Sequence, residues 1–183
     1  MKKTAMLFAE GFEEVEALTV VDLLRRVDIV CDMISVGDDC KLTGSHGIRL
    51  RADKLWTDTD FDEYDGLILP GGGKGTKRLA ADGRVAELLR RFYRAGKLTA
   101  AICAAPTVLG AAGLLEGRRA VCYPGMEDGL FCAEVGNESV VVDGTVITSR
   151  GLGTAIPFAL ALVGYLDSPE RAEALAKKIV YEL

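Results

Sequence analysis

Cys103 has the context of a nucleophile. It lies in Thr99-Ala-Ala-Ile-Cys103-Ala-Ala-Pro106, between an apolar run that reads as a buried strand and a helix opened by proline. That order predicts a sharp turn at the carboxyl end of a central strand, where open α/β sheets hold their ligands. Ala101 and Ala105, two residues to either side, are small, as a nucleophile elbow requires, and the pattern parallels G-x-S-x-G with cysteine in the serine position. A thiol there meets the partial positive charge and free N–H groups of a helix start. Both favour thiolate, the form that attacks carbonyl carbon. A buried, inert cysteine is the alternative.

Other residues could serve that thiol. Gly71-Gly72-Gly73-Lys74-Gly75 follows the apolar strand Gly66–Pro70. It fits neither phosphate loop, since Gly75 follows Lys74 where Ser or Thr is needed and Thr76 occupies the last glycine of G-x-G-x-x-G. Backbone N–H groups of the glycine turn and of Ala104 suit an oxyanion hole instead. Winding Glu13–Val27 as a helix puts Glu16 on the apolar arc of Ala17, Val20, Val21, Leu23, Leu24 and Val27, so burial should raise its pKa. It could then be an acid or base beside the thiol, or a first-turn cap. Glu13 and Glu14 read as ordinary helix-start acids. His46, the single histidine, reads as a solvated turn residue with a possible pocket role, and Tyr123 as a phenol near the sheet edge.

The elements positioning these residues alternate between strand and helix, which predicts an α/β sandwich. Strands are expected at Ala5–Ala9, Ile29–Val36, Gly66–Pro70, Thr99–Ile102 and Arg119–Cys122. Helices are expected at Glu13–Val27, Arg84–Ala95 with Gly96 following, Pro106–Ala112, Thr154–Leu166 and Pro169–Tyr181 behind Ser168. Hairpins are expected at 41–50 and across Asp143-Gly144, and a polar loop over Asp58–Asp65. Val15 and Leu18 fall on the polar arc of the first helix and suggest a subunit contact.

Composition excludes other classes. The chain has 183 residues, 49% apolar, with 22 basic and 27 acidic side chains for a formal charge of −5. One domain spanning 1–183 with a continuous core is expected, without disorder. An acidic chain with no basic run is a poor match for nucleic acid. The apolar stretch Leu98–Leu115 is interrupted by Pro106 and glycine and falls short of a membrane span, and no secretory signal is readable. Five cysteines (Cys31, Cys40, Cys103, Cys122, Cys132) without C-x-x-C spacing, with one histidine, argue against structural zinc and for reduced thiols in the cytoplasm. Neither metal nor cofactor is expected.

Four blocks, Gly11-Phe-Glu-Glu-Val-Glu16-Ala, Asp65-Gly-Leu-Ile-Leu-Pro-Gly-Gly72, Ala100-Ala-Ile-Cys103-Ala-Ala-Pro106 and Thr148-Ser-Arg-Gly-Leu-Gly-Thr154, resemble motifs of the ThiJ/PfpI superfamily in order and spacing. The likeness is to the branch typified by the parkinsonism-associated protein deglycase. The resemblance implies a flavodoxin-like three-layer sandwich with a mostly parallel sheet and a homodimer. It also implies a reactive Cys103 hydrogen-bonded to protonated Glu16, with Gly72 and Ala104 as donors. Expected activities are conversion of methylglyoxal to lactate, deglycation of early glycation adducts, or a redox-sensing or chaperone role without turnover. Two departures matter. Ala104 stands where the family's proteases place histidine, which counts against peptidase activity, and Tyr123 replaces a pocket histidine of some relatives. His46 lies where relatives carry arginine near the dimer interface.

Overall fold

Alternate residues of β1 (Lys3–Phe8) enter two different cores: Met6 and Phe8 face one, Ala5 and Leu7 the other, and all four are fully buried. A strand buried on both faces needs helices on both sides of the sheet. The computed structural model describes residues 1–131 and 134–182, so Cys132 lies outside the described residues. Among these, β2 (Val30–Ser35), β5 (Lys54–Leu55), β6 (Gly66–Leu69), β7 (Leu98–Ile102), β10 (Val140–Asp143) and β11 (Val146–Ser149) join β1 in the order β10-β11-β7-β6-β1-β2-β5. Every pairing is parallel except the edge hairpin of β10 with β11.

One face is covered by α1 (Glu14–Arg25), α5 (Ala155–Leu166) and α6 (Pro169–Lys178). Their Val20, Leu24, Phe158, Leu162 and Leu175 pack with Met6, Ile68 and Ile102. The opposite face carries α2 (Gly73–Ala81), α3 (Gly83–Arg94) and α4 (Pro106–Ala111), through Leu79, Leu89, Phe92 and Leu109. This is the flavodoxin-like three-layer arrangement. Two-stranded ribbons lie outside the main sheet: β3 (Lys41–Thr43) with β4 (Arg49–Arg51), and β8 (Arg119–Ala120) with β9 (Glu134–Val135). No helix among the described residues is long and apolar enough to cross a membrane.

Local signals explain the boundaries. Glu13, Asp82 and Ser168 accept N-cap bonds from Glu16, Arg84 and Arg171, and Gly96 ends α3 at φ +67°. Four expectations need correction. The glycine turn continues into α2, which was not anticipated because its glycines disfavour helix. The strand expected over Arg119–Cys122 is paired only at Arg119–Ala120, in the small ribbon. The loop at 58–65 contains a 3-10 turn at Phe61–Glu63 that buries Phe61. The last helix stops at Lys178.

Candidate active site

The chain passes from β1 to β2 on one side and later returns to β6 on the other, so the sheet changes direction between β1 and β6. Loops leaving adjacent strands at such a point diverge and open a crevice at the carboxyl edge. Here they are stitched together: Glu13 N–H donates to the Gly71 carbonyl at 2.9 Å and Gly75 N–H to the Gly11 carbonyl at 3.0 Å. Glycine is required at the seam. Gly72 has φ +95°, and a Cβ there would stand 2.5 Å from the Gly11 oxygen and 2.6 Å from the Glu13 nitrogen.

Cys103 directly follows β7 at φ +66°, a left-handed conformation that costs a non-glycine residue about 1–3 kcal/mol. Two backbone bonds fix it: its N–H donates to Ser149 at 2.9 Å, and its carbonyl accepts from Tyr123 N–H at 2.7 Å. Small neighbours make room, since Ala101 and Ala105 are fully buried. A Cβ at Gly71 would approach Cys103 Cβ to 2.6 Å and Sγ to 3.1 Å, and would collide with Glu16 Oε2. The cysteine and the carboxyl therefore share one crowded space opened by Gly71.

Glu16 is 1% exposed. Its Oε2 accepts from Gly71 N–H at 3.0 Å, whereas the buried Oε1 has no conventional hydrogen-bond partner among the described residues. Burial pushes the carboxyl up to about 7; Glu13 adds to the rise, while the Cys103 thiol and the Gly71 N–H restrain it. A protonated Glu16 is a donor beside Sγ, which accounts for the second oxygen. Burial also pushes the Cys103 thiol up and an ionised Glu16 pushes it further, whereas N–H groups of Ala104 and Gly72 pull it down. The expected helix-start effect thus has burial against it. The thiol's bias depends on whether Glu16 keeps its proton.

Glu14 departs from its reading as an ordinary helix-start acid. It is 2% exposed and grips the β3–β4 turn. Oε1 accepts from His46 N–H at 2.7 Å, and Oε2 from Ser45 Oγ at 3.1 Å, with His46 Nδ1 also 3.1 Å away. Burial alone would raise its pKa, but these bonds together hold it at about 2. Gly44 lies against the Glu14 side chain where any Cβ would clash. A cavity of about 350 Å³ opens beside the thiol, lined by Glu13, Ser45, His46, Gly72, Gly73, Cys103, Ala104, Tyr123 and Met126.

The structure thus brings Cys103, Gly72, Ala104, Tyr123 and His46 to one cavity, with Glu16 buried behind the thiol. His46 is exposed, as a turn residue should be, yet borders that cavity. Glu13, Glu14, Ser45 and Met126 had not been singled out for the site. For the two acids the one signal is that a helix starting at the sheet's carboxyl edge carries its first-turn acids there; Ser45 and Met126 give none. Among the described residues, Glu13, Glu14 and His46 form the grouping whose donor atoms lie within 4.8 Å of one another and could converge on a cation. Glu14's oxygens are already engaged by the turn. A larger hollow of about 590 Å³ lies at the strands' amino ends, lined by Met1, Lys2, Asp28, Asp65 and Arg171, without a nucleophile.

Layer order and the cysteine at the carboxyl edge define a flavodoxin-like α/β protein built around a thiol-bearing turn. The chain belongs to the DJ-1/PfpI family, whose model matches residues 2–164. It is 36% identical to Protein DJ-1 homolog B of Arabidopsis thaliana over 98% of its own length, although it spans only 41% of that relative. It is 33% identical to Glutathione-independent glyoxalase DJR-1.2 of Caenorhabditis elegans, covering 97% of this chain and 96% of that one. It is also 33% identical to Deglycase PfpI of Pyrococcus furiosus, with coverages of 82% and 91%. A crystal structure of a mutant of the DJ-1 superfamily protein STM1931 from Salmonella typhimurium superposes with a TM-score of 0.94 at 36% identity, covering all of both chains.

Proposed function

We propose that this protein is a cysteine-dependent enzyme acting on reactive carbonyls, a glutathione-independent glyoxalase that converts methylglyoxal to lactate. The observation that carries the reading is the Cys103–Glu16 pair: a thiol on a strained turn, a buried carboxyl raised to about 7 behind it, and an open cavity in front. Names of relatives support the same class, one a glyoxalase and one a deglycase.

The thiol adds to the aldehyde carbon, forming a C–S bond, and the aldehyde oxygen takes up a proton. Glu16, ionised once its own proton has gone to that oxygen, then moves a proton from the former aldehyde carbon to the neighbouring ketone carbon, while the hydroxyl proton on the first carbon passes to the ketone oxygen. This isomerisation oxidises the first carbon and reduces the second, so no external oxidant is needed. N–H groups of Gly72 and Ala104 stabilise the oxygen anion. Water cleaves the resulting lactoyl thioester and restores the thiol.

Lactate formation is the test. Cys103→Ser and Glu16→Gln should each lose it, and wild-type turnover in either would refute this mechanism. A second reading, a redox-sensing thiol, is favoured by the unpaired Glu16 Oε1, which could donate to an oxidised sulfur. Intact mass after mild peroxide should then locate added oxygen on Cys103, and oxidation confined to other cysteines would reject it. A homodimer assembled through α1 is supported by Val15 and Leu18, 46% and 38% exposed on one helix face. Light scattering should show Leu18→Asp as a monomer, and an unchanged assembly would exclude that face.

A further inference from the structure

We propose that His46 is the general base that activates water to hydrolyse the lactoyl thioester on Cys103, with Glu14 as the residue that positions it. The proposal rests on the glyoxalase reading and assigns a step which that reading left without a base.

The geometry of the turn carries the argument. His46 Nδ1 lies 3.1 Å from Glu14 Oε2 and 3.0 Å from Ser45 Oγ, and Ser45 Oγ is itself 3.1 Å from the same carboxylate oxygen. Glu14 is held well below the ordinary carboxylate range, so it is ionised and can only accept. Nδ1 therefore carries the hydrogen, which leaves Nε2 with a lone pair. Among the described residues no hydrogen bond engages Nε2. Glu13 Oε1, 3.9 Å from Nδ1, adds a second carboxylate facing the ring.

Position separates the roles of His46 and Glu16. Glu16 is enclosed behind the thiol, where it can serve the carbons bonded to sulfur but meets no solvent. The His46 side chain is 72% exposed and borders the cavity, so its ring is open to solvent. In the proposed step, water oxygen attacks the thioester carbonyl and its proton passes to Nε2. The C–S bond then breaks and the thiolate leaves. The imidazolium returns the proton to sulfur, giving lactic acid and the free thiol, with no change in oxidation state.

Two substitutions test this in the purified full-length chain. His46→Asn keeps an N–H for Glu14 but removes the basic nitrogen. Glu14→Gln keeps an oxygen for the turn, while its NH₂ against Nδ1 moves the ring hydrogen to Nε2. Both should lower kcat for methylglyoxal by about 10²–10⁴-fold. Because kcat/KM reports steps up to thioester formation, it should hold. Acid-quenched intact mass should show a lactoyl group accumulating on Cys103, and added imidazole should restore turnover to His46→Asn. Wild-type kcat in His46→Asn overturns the proposal, as does a lowered kcat with Cys103 unmodified during turnover. If the wild-type protein itself makes no lactate, the glyoxalase reading fails and this step falls with it.

Discussion

Replacing Glu16 by Gln tests the proton on which the site depends. In the folded protein this carboxyl is raised from 4.5 to about 7, chiefly by burial. The unfolded chain ionises there at the lower value, so the folded state holds the proton more tightly. Its contribution to stability is complete below the unfolded value. It fades as pH rises and is lost once pH passes the folded value of about 7. Between 4.5 and about 7, at about 1.4 kcal/mol for each tenfold step, the loss is roughly 3 kcal/mol. Glu16→Gln has no such proton and keeps an oxygen for the Gly71 N–H. Relative to wild type, its stability should therefore rise by about 3 kcal/mol from about pH 4 to about pH 8. Urea unfolding across that range, followed by circular dichroism and by the fluorescence of the single Trp56, gives the difference directly. Carboxylates common to both proteins drop out of the comparison. A difference constant to within about 0.5 kcal/mol would mean that Glu16 ionises normally in the folded protein, and the reasoning about the thiol's partner would fail.

Gly71→Ala should abolish lactate formation and slow alkylation of Cys103, because its Cβ occupies the space of Cys103 Cβ and Glu16 Oε2; wild-type rates with iodoacetamide would contradict this. Glu14 has the opposite pH signature to Glu16. Its folded pKa is lowered from 4.5 to about 2, so its stabilisation is complete above the higher value and lost as pH falls through the lower one. Acid unfolding of Glu14→Gln should accordingly be less steep than that of wild type over that interval. Leu24→Ala, at a fully buried α1 position facing the sheet, should cost about 2–5 kcal/mol in urea unfolding, with the cysteine's alkylation rate little changed.

Particular residues show which parts of this were legible in the chain. Leu98–Ile102 followed by Pro106 specifies strand, turn and helix through burial and proline geometry, both local, and Cys103 is placed as a consequence. Glu16 was legible because a helix has a fixed angular period and a charged residue on the apolar arc stands out. By contrast, α2 was hidden because Gly73 and Gly75 lower helix propensity. The reason for Gly75 is tertiary: a Cβ there would lie 2.8 Å from the Phe12 nitrogen. The same limit applies to β5 and to β9, whose two-residue strands are too short to show alternation. Glu14 was misread because its partners, Ser45 and His46, are about thirty residues away and join it only when the β3–β4 turn folds over α1. Its burial therefore has no counterpart in the helical period.

The first turn of α1 holds three acids in four positions, which like-charge repulsion should oppose. The structure relieves that repulsion in three different ways. Glu13 turns back to accept the Glu16 N–H at 2.7 Å, spending its charge on the helix start, where negative charge is favoured. Glu14 is surrounded by donors from a distant turn and stays ionised. Glu16, enclosed with one N–H and one thiol, instead retains its proton up to about pH 7. The formal charge of −5 thus overstates the protein's charge near neutrality. The division also explains why the acids serve different chemistry from one helical turn. An ionised Glu14 can orient a ring nitrogen, whereas only a carboxyl that keeps its proton can stand beside a thiolate and donate to it. Donors around Glu14 and their scarcity around Glu16 set this difference, because the helix dipole acts on both residues alike.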